Sequence, residues 1–292
     1  MSPFRLLTIT GSIAFLFIAC SGTVAENRFP PGSETNDGGT GDTGTTSGFN
    51  VTLDGDAATD ESCKYMDLVF VIDDSGSMSQ EQVNLAAIFP KFIDVINTFK
   101  TKDGTEIDYR IAVTTTDVLG NTADGKFRTT TGMSRAWLER SDKNVASTFA
   151  TIANVGTRGS STERPLEGSR QALTTRLKDS NAGFLRTDAL LGIVYLTDED
   201  DSSSGTVDSY VSTFDTLKGG RSRWATAIIA GDKPTCTSAF GSAVEAKRLK
   251  DFAAKVGTDA VFSSICSGDL AKALSDALST FDVACKNFKP PQ

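Results

Sequence analysis

Apolar runs of strand length alternate with amphipathic stretches along the chain from residue 63 onward. The runs are nearly continuous, which is typical of strands that are buried on both faces of a parallel sheet. The first run reads MDLVFVID and ends on Asp73. The predicted strands are 66–73, 109–117, 189–196, 225–231 and 259–265.

Apolar residues at helical spacing predict helices between these strands, at 85–99, 244–256 and 269–281. Pro90 is expected to kink or split the first helix. The turn 159–168, which reads GSSTERPLEG, leads into a further helix. This alternation predicts an α/β fold with an open, mostly parallel, doubly wound sheet flanked by helices, in one domain of residues 63–285.

The N-terminal segment has the features of an export signal. Arg5 precedes an apolar stretch that is too short to span a membrane in the mature protein. A small residue followed by Cys20 resembles a bacterial lipoprotein cleavage site, so residues 1–19 are predicted to be removed and Cys20 to carry lipid. In the alternative, an ordinary secreted protein, Cys20 is lost or unmodified. Ser21, rather than an aspartate, favours the outer membrane of the cell envelope.

Residues 20–62 are predicted to be a linker, and residues 286–292 a C-terminal tail. The stretch 32–48 holds only Gly, Ser, Thr, Asn, Asp and Glu. Nothing in it can be buried to offset the entropy of ordering, so we expect this linker to be flexible.

Four cysteines remain after Cys20, and four cysteines allow three connectivities. Cys63 lies just before the first strand and Cys285 just after the last helix, which favours a bond between the domain ends. Cys236 and Cys266 would then form the second bond. In the alternative, all four are free thiols, as in a reducing compartment.

Charge and composition exclude several classes of function. The formal net charge is −8, which argues against nucleic-acid binding because phosphate contacts need a basic surface. The chain contains no histidine, which excludes Ser-His-Asp catalysis and histidine-based zinc sites. The remaining metal ligands are carboxylates, hydroxyls and carbonyls, which suit Mg²⁺, Ca²⁺ or Mn²⁺.

Acidic and hydroxyl side chains follow two of the predicted strands. Asp73, Ser75 and Ser77 follow the first strand, and Asp198 follows strand 189–196. Ligands of open α/β sheets bind at the carboxyl ends of strands, so these residues are expected to face one crevice. The hydroxyl-rich turn 159–168 lies between them in sequence and supplies a third loop.

The D-x-S-x-S-M motif, the later threonine-bearing loop and the LTD strand end resemble a von Willebrand factor type A (VWA) domain, which has a Rossmann-like fold. The resemblance implies a metal-ion-dependent adhesion site (MIDAS) with Asp73, Ser75, Ser77, Thr162 and Asp198 as the metal-binding residues. It also implies direct hydroxyl ligands, with one or both aspartates acting through water.

Alternatives to this assignment concern single residues. Ser160 or Ser161 could replace Thr162, because the loop departs from the usual Gly-Gly-Thr pattern. Ser77 could form a helix capping box with Gln80. Residues 199–201 are interpreted as a solvated acidic loop.

The expected function is metal-dependent protein binding without turnover. The cation, Mg²⁺ before Ca²⁺ or Mn²⁺, would offer an open coordination position to an acidic residue of a protein partner. In one alternative the cation only stabilises the loops of an envelope scaffold. In another the site is a metal-assisted hydrolase, in which only Asp or Glu could act as general base.

Overall fold

The computed structural model describes residues 63–289 except residues 102, 119–123 and 240. The predicted signal peptide, the lipidation site at Cys20 and the linker lie outside the described residues. In the part of the chain that is described, no helix is both long enough and apolar enough to cross a bilayer.

The central sheet has six strands, which are β1 (Tyr65–Ile72), β2 (Asp108–Thr115), β3 (Leu138–Glu139), β4 (Leu190–Leu196), β5 (Trp224–Ala230) and β8 (Ala260–Ser264). Their order in the sheet is β3-β2-β1-β4-β5-β8. All neighbouring pairs are parallel except β2 with β3. The predicted α/β class is therefore confirmed, and each of the five predicted strands is present.

Six α-helices are described: α1 (Ser79–Ile96), α2 (Val145–Ala153), α3 (Pro165–Leu173), α4 (Val207–Lys218), α5 (Lys247–Val256) and α6 (Leu270–Lys286). Helix α1 continues through Pro90, so the expected split is absent. Helix α3 is the one expected after the turn 159–168. Helices α2 and α4 were not predicted.

Alternate residues of β1 enter two cores on opposite faces of the sheet. Leu68, Phe70 and Ile72 pack with residues of α1, α2 and α6. Val69 and Val71 pack with residues of α3, α4 and α5. The helices therefore lie on both faces, as predicted, and this explains why β1 is almost continuously apolar.

Aromatic side chains fill the first of these cores. The ring of Phe70 lies 6.0, 5.2 and 5.0 Å from those of Phe89, Phe92 and Phe149, in edge-to-face geometry. Such pairs add about 0.5–1.5 kcal/mol each beyond the area that they bury. They fix α1 and α2 against β1, the strand that carries Asp73 to its position.

A two-stranded antiparallel hairpin, β6 (Thr235–Ser238) and β7 (Gly241–Val244), follows β5. The prediction of a helix from residue 244 was wrong at its start, because Val244 ends β7 and α5 begins at Lys247. The alternating exposure of this hairpin is too short a signal to separate it from the amphipathic helix that follows.

The structure contains both disulfides that the sequence favoured. Cys63 and Cys285 join the two ends of the domain, with Cα atoms 5.1 Å apart. Cys236 and Cys266 join the hairpin to the turn after β8, with Cα atoms 5.8 Å apart. The hairpin is thereby held beside the carboxyl ends of the central strands.

Candidate metal centre

Asp73 and Asp198 lie at the ends of adjacent parallel strands. Strands β1 and β4 pair in a register that places Ile72 opposite Leu196, and the N–H of Asp73 donates to the carbonyl of Leu196 at 2.9 Å. Both strands therefore end at the same edge of the sheet. Asp73 is 0% exposed and Asp198 is 2% exposed. Two carboxylates 125 positions apart in sequence are thus brought to one buried location.

Hydrogen bonds fix the orientation of Asp73. Its Oδ1 accepts from the N–H of Ser75 at 2.8 Å, and its Oδ2 accepts from the hydroxyl of Thr197 at 2.8 Å. Its carbonyl accepts from Nε2 of Gln82 on α1 at 2.9 Å. These donors partly offset the cost of burying the carboxylate, and they leave its remaining lone pairs for a further ligand.

The hydroxyls of Ser75 and Ser77 connect the two aspartates. The two Oγ atoms are 2.9 Å apart, and Ser77 Oγ donates to Asp198 Oδ1 at 3.2 Å. Neighbouring ligands of an octahedral ion at 2.0–2.1 Å are about 3.0 Å apart. The spacing and chemistry of these oxygens therefore fit a small, hard divalent cation.

Ser77 does not cap helix α1. The residue at the N-cap position is Met78, and no side chain makes a cap hydrogen bond there. The capping-box interpretation of Ser77 and Gln80 is therefore wrong. The hydroxyl of Ser77 instead faces Asp198, and Ser77 is exposed, so the cluster is open to solvent on this side.

The third loop approaches the first one closely at Gly159. The N–H of Gly159 donates to the carbonyl of Asp74 at 2.7 Å, and a Cβ at this position would overlap the Asp74 carboxylate. Only glycine permits this approach. The loop that follows is thereby held beside Asp73.

Thr162 itself does not join the cluster in the described structure. It is exposed, and its N–H donates to Ser160 Oγ at 3.1 Å. Among the described residues, its hydroxyl makes no hydrogen bond to the two aspartates or the two serines. The assignment of Thr162, Ser160 or Ser161 as a ligand stays a prediction.

Glu163 is a site residue that the sequence did not reveal. It is 1% exposed, its carboxyl lies within hydrogen-bond reach of Glu199, and it experiences the charge of Asp73. The available signal was its position as the one acidic residue in 159–166, directly after Thr162. From sequence alone, a charged residue in a hydroxyl-rich loop is predicted to be exposed to solvent and not buried.

Burial raises the pKa of several carboxyl groups at this edge. Burial, and then the charge of Asp73, raise the pKa of Asp198 to about 7. Burial also raises the pKa of Asp73, although the hydrogen bonds from Ser75 and Thr197 lower it in part. The pKa of Glu163 rises to about 9 through burial and then through its contact with Glu199. The metal-free cluster therefore holds carboxyl groups that resist ionisation together.

None of the ion pairs among the described residues involves Asp73, Asp198, Glu163 or Glu199. In residues 63–289, apart from their gaps, no three Asp, Glu or Cys side chains are grouped so that they alone could hold a metal ion. The oxygen set at this edge is instead a mixture of two aspartates and two serine hydroxyls.

The acidic loop after Asp198 is ordered and paired, in contrast to its interpretation as a solvated loop. The carboxylate of Asp200 accepts from the N–H groups of Arg248 and Leu249 at the start of α5. Asp201 is 6% exposed and pairs with the guanidinium of Arg248 at 2.6 Å. These two carboxylates therefore stabilise the N-terminus of α5 and fix the loop that begins at Asp198.

Neither a protein-family model nor a curated protein sequence matches the chain. Among solved structures, it is similar to proximal thread matrix protein 1 of the mussel byssus, with 14% identity, TM-score 0.44, and coverage of 78% of this chain and 48% of that one. A form of that protein with a zinc-occupied MIDAS motif aligns at 15% identity with the same coverage and TM-score.

A third similar structure is the manganese-loaded TRAP protein of Plasmodium vivax, with 14% identity, TM-score 0.42, and coverage of 74% of each chain. The present chain spans about half the length of the mussel protein. TM-scores this low are too weak to support a conclusion about the site. The resemblance to the VWA family therefore stays a prediction that depends on the D-x-S-x-S motif and on the residues that the sheet brings together.

Proposed function

We propose that this protein is a protein-binding module whose activity depends on a divalent cation. The observation that carries this proposal is the convergence of Asp73 and Asp198, both buried, with the hydroxyls of Ser75 and Ser77 at the edge of the sheet. A buried carboxylate without a cationic partner is costly to the folded state. A bound cation would remove that cost.

The residues present suit Mg²⁺ best, with Ca²⁺ and Mn²⁺ as alternatives, because all candidate ligands are hard oxygens. Ser75, Ser77, Asp73 and Asp198 would hold the ion. When bound, the ion supplies an electrophilic point that accepts an oxygen ligand from outside. Ser77 is exposed, so an acidic side chain of a partner protein could reach the cluster from that side.

We propose binding rather than turnover because the two aspartates of the cluster are poor candidates for a general base. The chain contains no histidine, and the carboxylates of Asp73 and Asp198 are already engaged by hydroxyl or N–H donors. Specificity would come from the exposed loops around the ion, including residues 159–162.

The decisive experiment is a pull-down from bacterial envelope extract in Mg²⁺ and in EDTA. We expect a protein that is captured only in Mg²⁺ by the wild type and is lost with Asp73→Ala. Asp94→Ala is the matched control, because Asp94 is an exposed aspartate on α1 away from the cluster. This control should capture the same protein as the wild type.

Two other results would replace the proposal. Capture that is unaffected by EDTA, together with a lower melting temperature in EDTA, would favour a scaffold in which the cation only stabilises loops. Metal-dependent hydrolysis that disappears in Asp73→Ala would favour the hydrolase.

We also propose that the protein is attached by lipid at Cys20 to the bacterial envelope, with the outer membrane favoured. The support is the apolar N-terminal stretch that ends in a small residue and Cys20. Cys20→Ser should move the protein from the membrane fraction to the soluble fraction. Unchanged fractionation of this variant would refute the anchor.

A further inference from the structure

Glu163 has a buried carboxyl oxygen without a partner. The residue is 1% exposed, and among the described residues its Oε1 has no hydrogen-bond partner. A buried polar atom that is left unpaired costs about 1–3 kcal/mol, and more when it is charged. Such an atom beside Asp73 indicates that a donor is normally supplied from outside the chain.

The backbone on both sides of Glu163 is held firmly. The carbonyl of Glu163 accepts from the N–H of Ser202 at 2.8 Å, and the N–H of Arg164 donates to the carbonyl of Thr116 at 3.2 Å. Pro165 then begins helix α3, where its fixed φ suits the first turn. The third loop is therefore fixed between β2 and the loop after β4, and Glu163 is directed inward while Thr162 is exposed.

We propose that Glu163 is the third-loop residue that senses the cation, through a water molecule in the coordination shell of the ion. This inference rests on the proposed function and assigns the role to a carboxylate in place of the Thr162 hydroxyl. The three carboxylates of Asp73, Asp198 and Glu163 are not grouped closely enough to share an ion directly. A water is the donor that the unpartnered Oε1 requires.

With the cation bound and its carboxyl ionised, Glu163 would make the site more negative than two aspartates and hydroxyls would. The additional carboxylate increases the affinity for a divalent cation and discriminates against monovalent ions, because the attraction scales with the charge of the ion. Residues that contact a metal through an intermediate group typically contribute 10–100-fold to metal affinity.

The test is calorimetric titration of the purified protein with MnCl₂ and with MgCl₂ at one pH. We expect Glu163→Gln to weaken Mn²⁺ binding by about 10–100-fold. Its melting temperature in EDTA should equal or exceed that of the wild type, because the amide fills the same volume as the carboxyl and cannot carry a buried negative charge. Glu163→Asp retains the charge and should lose less affinity than Glu163→Gln.

Glu106→Gln is the matched control, because Glu106 is exposed and precedes β2 at the opposite edge of the sheet, and it should bind Mn²⁺ like the wild type. The inference is overturned if Glu163→Gln binds Mn²⁺ like the wild type, since Glu163 would then serve only as a structural partner of Glu199. It is also overturned if Glu163→Gln and Glu163→Asp lose affinity equally and both melt earlier in EDTA.

The same titration separates this inference from the proposed function. If the wild type binds Mn²⁺, Asp73→Ala does not, and Glu163→Gln is unchanged, the metal site stands and only the role of Glu163 is refuted. If the wild type itself binds neither cation, the proposed function fails as well.

Discussion

A buried aspartate lies near each end of strand β1, and the two aspartates have different kinds of partner. Asp67 and Asp73 are both 0% exposed. Asp67 pairs with Arg186, whose guanidinium Nε lies 2.8 Å from Oδ1 and whose backbone N–H donates to Oδ2 at 2.6 Å. Among the described residues, the carboxylate of Asp73 receives only neutral donors, from Ser75 and Thr197.

A second cation reinforces the pairing at the Asp67 end. Lys218 is 2% exposed, and its Nζ donates to the carbonyl of Arg186 at 2.6 Å. Burial lowers the pKa of Lys218 to about 8, although the negative charge of Asp67 acts to raise it. This end of the sheet therefore contains its own positive charges.

This difference in partners distinguishes a structural carboxylate, Asp67, from a ligand-binding carboxylate, Asp73. Burying a charge is expensive unless it is paired and hydrogen-bonded. The chain supplies the pairing for Asp67 itself. At the other end, Asp73 and Asp198 share one location without an ion pair to a described lysine or arginine. We infer that this negative charge is matched by a cation from solution.

The largest effect should come from removing the internal partner of Asp67. Arg186→Met keeps the aliphatic stem and the backbone N–H but removes the ion pair to the buried Asp67, so the free energy of unfolding should fall by about 3–5 kcal/mol. Urea unfolding in EDTA measures the change. The double variant Asp67→Asn/Arg186→Met should recover much of the loss.

Asp73→Asn in EDTA is the counterpart at the opposite end, and it should unfold at the same urea concentration as the wild type or a higher one. If Asp73→Asn is destabilised as much as Arg186→Met, the contrast between the two ends of β1 is incorrect.

The next effect in size is the response to added cation. Mg²⁺ or Mn²⁺ at 100 times its Kd should stabilise the wild type by about 2.7 kcal/mol, because it binds only the folded state. Thermal unfolding with and without the ion measures this shift. The shift should vanish in Asp73→Asn and persist in Asp67→Asn/Arg186→Met. A shift retained by Asp73→Asn would place the ion elsewhere.

Asp198 should contribute to the pH dependence of the metal-free protein in the neutral range. Its pKa in the folded protein is about 7, above its ordinary value of 3.8. The folded state then binds the proton more tightly than the unfolded state, so this stabilisation is complete below pH 4 and is lost as the pH rises through 7. Between pH 5 and 8 we expect a loss on the order of 2 kcal/mol.

Urea unfolding in EDTA across that pH range tests whether the free energy of unfolding falls as the pH rises. Asp198→Asn should reduce the dependence and leave the part that comes from the raised pKa of Glu163, whereas Mg²⁺ should flatten it because the cation favours the ionised carboxylates. Metal-free protein that becomes more stable between pH 5 and 8 would show that the carboxylates are compensated within the chain.

The smallest effect on stability should come from Ser77. Loss of a capping hydroxyl typically costs about 1 kcal/mol, but Ser77 makes no cap bond to α1. Ser77→Ala should therefore change the unfolding free energy in EDTA by less than about 0.5 kcal/mol, as is typical of surface substitutions. Its affinity for Mn²⁺ should fall. Lower stability of Ser77→Ala with an unchanged affinity for Mn²⁺ would instead indicate that Ser77 caps α1.

Local pattern was sufficient for the five parallel strands of the central sheet and for the two aspartates of the site that follow β1 and β4. The apolar runs predicted β1 and β4, and parallel strands end at a common edge, so Asp73 and Asp198 were expected to meet. The positions of Cys63 and Cys285 at the domain ends likewise favoured their disulfide. These features depend on periodicity and order along the chain, which the sequence displays directly.

Only the tertiary structure decided which charges are paired and which are not. Asp67 and Arg186 are 119 positions apart, and no local pattern connects them. Glu163 is buried and Thr162 exposed because of backbone contacts to Thr116 and Ser202 on other loops. Hydrophobic periodicity reports which faces of an element are covered, whereas the pairing of a buried charge depends on residues that folding alone brings close.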